Sequence, residues 1–173
     1  MSKRSSPAIQ SPHELDFISH SVAQTIRVGQ RLGELLHAGD LVLLLGDFGS
    51  GKTHLIKGIA QGLGSADLVN SPSFVLINEY RAGPAHKHMP IYHADLYRIE
   101  NPGELAGIGL EEAWSGDGVC LIEWAERAQG WLPQDHLTIH LRYLSDTKRV
   151  LRFAPHGRRY EGLVGEFKKI AFA

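Results

Sequence analysis

An α/β fold is predicted for this 173-residue chain by three features in succession. The stretch Gly46-Asp47-Phe48-Gly49-Ser50-Gly51-Lys52-Thr53 satisfies G-x-x-x-x-G-K-[ST] at every fixed position. The apolar run Leu41 to Leu45 stands directly in front of it, as a buried strand would. From Lys52 onward Leu55, Ile56, Ile59, Ala60 and Leu63 recur at helical spacing, with Gly62 and Gly64 as a stop. Strand, glycine loop and helix are the parts of a phosphate-binding loop, or P-loop.

The other elements follow in chain order. Residues 1–12, rich in Ser and Pro, read as a flexible leader, and 13–173 as one domain. Ser21 with Gln24 makes a capping box, after which Val22, Ile26, Leu32, Leu35 and Leu36 trace a helix face that Gly39 closes. The base of a nucleotide on the P-loop has to rest near such a flanking element, so Val22 and Thr25 are candidates for the adenine side. Ser71-Pro72-Ser73 is a turn leading into a strand through Ile77, and Arg81 to Pro90 reads as the loop of a long hairpin. Its return strand, Ile91 to Ala94, ends in Asp95. His86, His88 and His93 fall in this hairpin, but no acid or thiol is placed to complete a transition-metal site with them.

Asn101-Pro102 predicts a helix start, and Leu110 to Trp114 a short amphipathic stretch. Gly116-Asp117-Gly118 turns the chain into the all-apolar strand Val119 to Ile122, which ends in Glu123. Leu137, Ile139 and Leu141 alternate with polar residues in a half-exposed strand, and Val150 to Phe153 can pair with it as a hairpin. Tyr160, Leu163, Val164, Phe167 and Ile170 mark a final amphipathic helix.

Composition narrows the class. Hydrophobic content of 43% and charged content of 21% are those of a soluble globular protein. A single cysteine, Cys120, excludes internal disulfides and thiolate metal frameworks, and no disulfide-linked partner is expected. No apolar run is long enough to span a bilayer and the polar start is no signal peptide, so the cytoplasm is the expected compartment and no membrane partner is expected. Net charge is −1, with seven Lys and Arg against two acids from residue 148 onward. That basic tail suits a solvated face, and a chain this neutral is not expected to hold nucleic acid tightly alone.

The chemistry expected of the P-loop is phosphate binding. Its glycines, Gly49 and Gly51 among them, let backbone N–H groups of Asp47, Ser50 and their neighbours approach phosphate oxygens. Lys52 reaches the β- and γ-phosphates, the Thr53 hydroxyl ligates Mg²⁺, and the His54 N–H at the helix start faces the α-phosphate. Mg²⁺ requires further oxygen ligands, and an attacking water has to be oriented or deprotonated. Two strands end in an acid, Asp95 and Glu123, and in a parallel α/β sheet strand ends of that polarity face the ligand crevice. Glu123 is the first choice for metal contact and Asp95 the second acid; their division of roles is open on sequence. Ser73 carries a hydroxyl able to sense a γ-phosphate, and Trp124 is either core or an exposed anchor for a partner.

The ordered set of Gly46 to Thr53, Ser71-Pro72-Ser73-Phe74, Tyr92-His93-Ala94-Asp95-Leu96-Tyr97-Arg98, Glu104-Leu105 with Gly109, and Leu121-Ile122-Glu123-Trp124 with Leu132-Pro133 resembles the TsaE (YjeE) family of bacterial ATPases. The resemblance implies a three-layer P-loop NTPase fold with a mixed, largely parallel central sheet flanked by helices. It implies ATP and Mg²⁺ as cofactors and slow intrinsic hydrolysis. It also implies work beside TsaD and TsaB, on a threonylcarbamoyl group supplied by TsaC, with tRNA met through the complex. Carried over by position, Lys52 and Thr53 hold nucleotide and metal, Ser73 is a switch hydroxyl, Asp95 and Glu123 are the functional acids, and Trp124 completes an acid-aromatic pair. Phe48, Ser50, His54 and Ser73 depart from the usual Leu, Ala, Thr and Thr; His54 removes a hydroxyl near the α-phosphate. Arg149, in the late hairpin, is a further candidate nucleotide contact. A small-molecule kinase shares the loop but would need an arginine-bearing lid that no cluster here supplies. A nucleotide-dependent binding module is the third reading, and a GTPase is disfavoured because no N-K-x-D motif occurs.

Overall fold

The structure is a computed structural model that describes residues 12–72 and 76–171. Strands are β1 (Leu15–Ser19), β2 (Leu41–Leu45), β3 (Ile77–Arg81), β4 (Pro90–Asp95), β5 (Val119–Glu123), β6 (His136–Tyr143) and β7 (Arg149–His156). The α-helices are α1 (Val22–Leu35), α2 (Lys52–Gly62), α3 (Leu110–Trp114) and α4 (Arg158–Ala171). All seven strands join one sheet in the order β1-β7-β6-β2-β5-β4-β3. The central four, β6, β2, β5 and β4, pair in parallel. β7 and β3 run against them, and β1, antiparallel to β7, returns to their direction. The sheet is therefore mixed and largely parallel, with helices on both faces.

β2 and, as far as Ile122, β5 are apolar throughout because both faces are covered. Val42 and Leu44 of β2, with Val119 and Leu121 of β5, face a core shared with α1, α2 and α4. Leu41, Leu43, Cys120 and Ile122 face the opposite core, closed by Leu105, Leu110, Ala113, Ala125 and Ala128. Cys120 is free and fully enclosed, and burial pushes its thiol up to about 12, which leaves it a small apolar filler. Among the described residues no helix is long and apolar enough to cross a membrane.

One strand is unannounced by the sequence and one expectation needs correction. Residues 15–19 form a strand that the hydrophobic pattern did not announce. Leu15, Phe17 and Ser19 point inward, but Ile18 lies 47% exposed on an edge strand and blurs the alternation. The helix expected at Asn101-Pro102 is a 3₁₀ turn over Pro102–Gly107, where Gly103 and Gly107 weaken any longer α-helix. Glu104 still caps it by accepting the Asn101 N–H at 3.2 Å. Elsewhere the capping box works as expected: Ser21 Oγ accepts the Gln24 N–H at 3.1 Å, although the Gln24 side chain reaches back to the His20 N–H.

α1 and α2 approach closely because four glycines interlock. A Cβ on Gly58 would lie 2.1 Å from the Ile26 carbonyl oxygen, and one on Gly33 2.2 Å from that of Ile59. Since α1 starts beside the cleft and α2 starts in the P-loop, this contact ties the two walls of the cleft together. Gly58→Ala is expected to cost about 1–3 kcal/mol through overpacking, lowering Tm by roughly 2–12 °C. Gly162→Ala, in α4 with open space at its Cβ, is expected to raise stability by about 0.4–1 kcal/mol. Calorimetry on both variants checks the contrast.

The basic tail is partly consumed internally. Arg159 donates from Nε and Nη2 to the Asp40 carboxylate at 2.9 and 2.7 Å, and Nη2 also reaches the Leu35 carbonyl at 3.0 Å. Beside it Tyr160 Oη accepts the Leu41 N–H at 2.8 Å, so α4 is anchored at the start of β2. Arg152 pairs with Asp16 across β7 and β1.

Candidate nucleotide-binding site

The P-loop turns sharply from β2 into α2, and its glycines are what permit the turn. Gly46 and Gly51 have φ of +155° and +102°, and a Cβ on Gly46 would meet the Leu141 carbonyl oxygen at 2.4 Å. The loop borders a cleft of about 240 Å³ that opens at the carboxyl ends of β2, β4 and β5. Ser50 Oγ, buried in the loop, has no hydrogen-bond partner among the described residues. Such an orphan costs about 1–3 kcal/mol, a penalty that a bound oxyanion with a proton acceptor would relieve.

Lys52 is only 6% exposed. Its Nζ donates back to the Gly46 carbonyl and, at 3.1 Å, to that of Asp47, and lies 4.5 Å from the Trp124 ring centroid. Burial pulls its pKa below the usual lysine value, against the opposing fields of Glu123, Glu126, Asp95 and Asp47. A desolvated cation held by loop carbonyls is poised to exchange them for phosphate oxygens. Thr53 Oγ1 lies 3.2 Å from Ser71 Oγ.

The two strand-end acids are side by side because β4 and β5 are parallel neighbours, with Asp95 opposite Glu123 in register. Glu123 is 3% exposed, and its Oε2 lies 2.8 Å from His93 Nε2. Asp95 Oδ1 accepts the Tyr97 N–H at 2.9 Å. Burial raises the Asp95 pKa, the Tyr97 N–H lowers it and the Glu123 charge raises it further. A carboxyl whose folded pKa exceeds its unfolded value loses stability as pH climbs through the window between them, so its penalty is absent below that window and present above it. Asp95→Asn, which keeps the acceptor for Tyr97, is expected to raise the Tm of the nucleotide-free protein at pH 7 and to lose that advantage near pH 4. Thermal melts at both pH values test it.

Val22, Asp47, Gly49, Ser50, Gly51, Lys52, Thr53, His54, Asp95, Glu123 and Arg149, drawn from five separate stretches of sequence, all line this one cleft. Ser73 lies outside the described residues. Val22 is 53% exposed at the rim, and Thr25 contributes its methyl, since its hydroxyl is 2.7 Å from Ser19 Oγ. Arg149 braces the loop: its Nε donates to the Gly49 carbonyl at 3.2 Å and its guanidinium stacks over Tyr143 at 4.7 Å. Trp124, in the left-handed region at φ +56°, is half-buried and meets Phe48 and Tyr97, each at 5.1 Å. Among the described residues no group of three or more His, Cys, Asp or Glu is placed to hold a metal ion. A cation at Thr53 and the two acids would therefore take phosphate and water oxygens as its remaining ligands, which suits Mg²⁺.

Sequence reasoning did not find Asp146 and Thr147, which enter the cleft from the turn between β6 and β7. Nothing in a polar hairpin turn marks it as facing a site 100 residues earlier in the chain. Nothing in the spacing of His93 points to Glu123; their contact depends on β4 lying beside β5.

Residues 19–151 match the family model described as Threonylcarbamoyl adenosine biosynthesis protein TsaE. The chain belongs to the TsaE family. It is 44% identical over 131 residues to the tRNA threonylcarbamoyladenosine biosynthesis protein TsaE of Bacillus subtilis, covering 76% of this chain and 79% of that one. Against the TsaE protein of Treponema pallidum it is 39% identical over 137 residues, covering 79% and 98% respectively. The crystal structure of Bacillus subtilis YdiB superposes with a TM-score of 0.77 at 35% identity, over 90% of this chain and 95% of that one. The part of this TsaE chain that carries the cleft, from α1 to the start of β7, coincides with the matched region.

Proposed function

We propose that this TsaE protein, acting as one P-loop domain over residues 13–173, binds ATP with Mg²⁺ and hydrolyses it within the machinery that makes threonylcarbamoyladenosine in tRNA. TsaB and TsaD are its protein partners, tRNA is met through them, and the cytoplasm is its compartment. The observation that supports this most is the convergence of Lys52 and Thr53 with two neighbouring strand-end carboxylates in one cleft.

In this reading the loop N–H groups and Lys52 hold the β- and γ-phosphates, and Thr53 with Glu123 and Asp95 supplies the protein oxygens for Mg²⁺. Bound Mg²⁺ neutralises charge on the phosphate oxygens. Glu123 and Asp95 offer strand-end carboxylates beside Lys52, and they also orient the attacking water or accept its proton. Arg149, which lines the cleft and donates to the Gly49 carbonyl, steadies the loop and is a further nucleotide contact. Val22 and the Thr25 methyl form the wall against which the adenine rests. Hydrolysis by the protein alone is slow, as the family resemblance implies, and partners stimulate it.

Phe48 and Tyr97 are 68% and 43% exposed and meet edge to face at 4.6 Å beside Trp124 at the mouth of the cleft. Exposed aromatics clustered next to the phosphate site favour a protein partner that senses nucleotide there. The test is phosphate release with TsaB, TsaD and tRNA present. Stimulation that requires Lys52 is the expected result. No stimulation, with tRNA modification indifferent to Lys52, would refute the ATPase assignment, and transfer of label to a small metabolite would favour a kinase.

A further inference from the structure

His93 lies within β4, two residues before Asp95, and is fully buried. A buried imidazole is expected to have both ring nitrogens engaged. Nε2 lies 2.8 Å from Glu123 Oε2, and Nδ1 lies 3.0 Å from Tyr80 Oη on the neighbouring strand β3. Tyr80 Oη is in turn 2.9 Å from the Asn70 carbonyl oxygen and accepts the Asn70 N–H at 3.2 Å. Ser71, the next residue, is the one whose hydroxyl lies against Thr53. The contacts run from Glu123 through His93 and Tyr80 to Asn70, and from Ser71 to Thr53, around the phosphate end of the cleft.

Proton counting assigns the direction of these bonds. The Tyr80 hydroxyl has one proton and two acceptors within reach. The Asn70 carbonyl already receives the Asn78 side-chain N–H at 2.9 Å, so sending the Tyr80 proton to His93 Nδ1 leaves neither acceptor empty. His93 then keeps its own proton on Nε2 and donates it to the Glu123 carboxylate. The opposite tautomer would set a bare nitrogen against a carboxylate oxygen at 2.8 Å.

We propose that His93, held in the Nε2–H tautomer by Tyr80, is a positioning residue that aims the Glu123 carboxylate into the cleft and links it to Asn70 and Ser71 beside Thr53. Its kinetic consequence rests on the ATPase function proposed above; its tautomer does not. Partners that orient a functional carboxylate from behind are typically worth about 10- to 100-fold. In His93→Leu, kcat for ATP hydrolysis is expected to fall about 10- to 100-fold with KM for ATP held within about threefold. His93→Gln, whose amide N–H can replace Nε2–H, recovers most of that loss. Tyr80→Phe removes one hydroxyl from a nearly unchanged shape and is expected to cost about 3- to 10-fold in kcat. Equal losses in the Leu and Gln variants, or a loss carried by KM, would make His93 a packing residue and overturn the proposal.

Long-range ¹H–¹⁵N spectra of the full chain labelled at histidine read the tautomer without turnover, with His93 assigned by its disappearance in His93→Gln. The expected result is a proton on Nε2 in the parent protein and a loss of that preference in Tyr80→Phe; a proton on Nδ1, or spectra indifferent to Tyr80, would contradict it. Should the parent protein show no Lys52-dependent phosphate release while the spectra show Nε2–H, the ATPase function fails and the positioning geometry is supported. Should phosphate release be normal and His93→Leu retain full kcat, the reverse holds.

Discussion

Lys52→Ala is expected to lower ATP hydrolysis by about 10²- to 10³-fold, the loss of roughly 2.7–4 kcal/mol of charge stabilisation in a partly dehydrated site. The magnitude follows from where the ammonium sits. It is almost enclosed, its pKa is pulled down by burial, and four carboxylates oppose that pull. On the proposed function phosphate charge repays the cost of that placement; among the described residues the partners of the ammonium are two loop carbonyls and the Trp124 face. Removing it also relieves the burial penalty, so the variant is expected to fold and to melt no lower than its parent. Single-turnover hydrolysis together with a thermal melt separates loss of function from loss of fold. A variant that hydrolyses ATP normally would remove the P-loop lysine from the chemistry.

Glu123→Gln is expected to reduce kcat by about 10²- to 10⁴-fold while ATP binding changes only a few-fold. The substitution keeps the volume of a residue that is 97% enclosed and keeps an oxygen to accept the His93 N–H, so it removes charge and basicity and little else. Asp95 remains opposite in register and still supplies one carboxylate to a cation. Nucleotide binding by titration calorimetry, read beside single-turnover hydrolysis, distinguishes the two effects. If Glu123→Gln binds ATP normally, assembles with its partners and supports tRNA modification without hydrolysis, ATP occupancy alone controls the complex and the protein is a nucleotide-dependent binding module.

The parts of the site that lie next to one another in the chain were readable from residue pattern. β2, the P-loop and α2 follow from an apolar run, a glycine spacing and a helical repeat, all within residues 41–64. Asp95 and Glu123 were found by a different route: each ends an apolar strand, and parallel strands deliver their ends to the same edge. Where strand order or a turn decided the matter, residue pattern was silent. His93 reads as one alternating residue of a strand, and only the pairing of β4 with β3 and β5 sets it between Tyr80 and Glu123. Asp146 and Thr147 belong to a turn whose composition suits any hairpin. β1 went unread because an edge strand with an exposed isoleucine lacks a clean period of two. The interlocked glycines of α1 and α2 carry no signal in the residue pattern, yet they set the distance between the two walls of the cleft.

The account depends on distant residues meeting around a triphosphate, and a crystal structure with a non-hydrolysable ATP analogue and Mg²⁺ measures that directly. The account predicts phosphates in the P-loop with Lys52 Nζ turned from the Gly46 carbonyl onto them, and the metal on Thr53 with Glu123 or Asp95 in its coordination sphere or one water away. Nucleotide bound elsewhere, or a metal with neither carboxylate in reach, would contradict it.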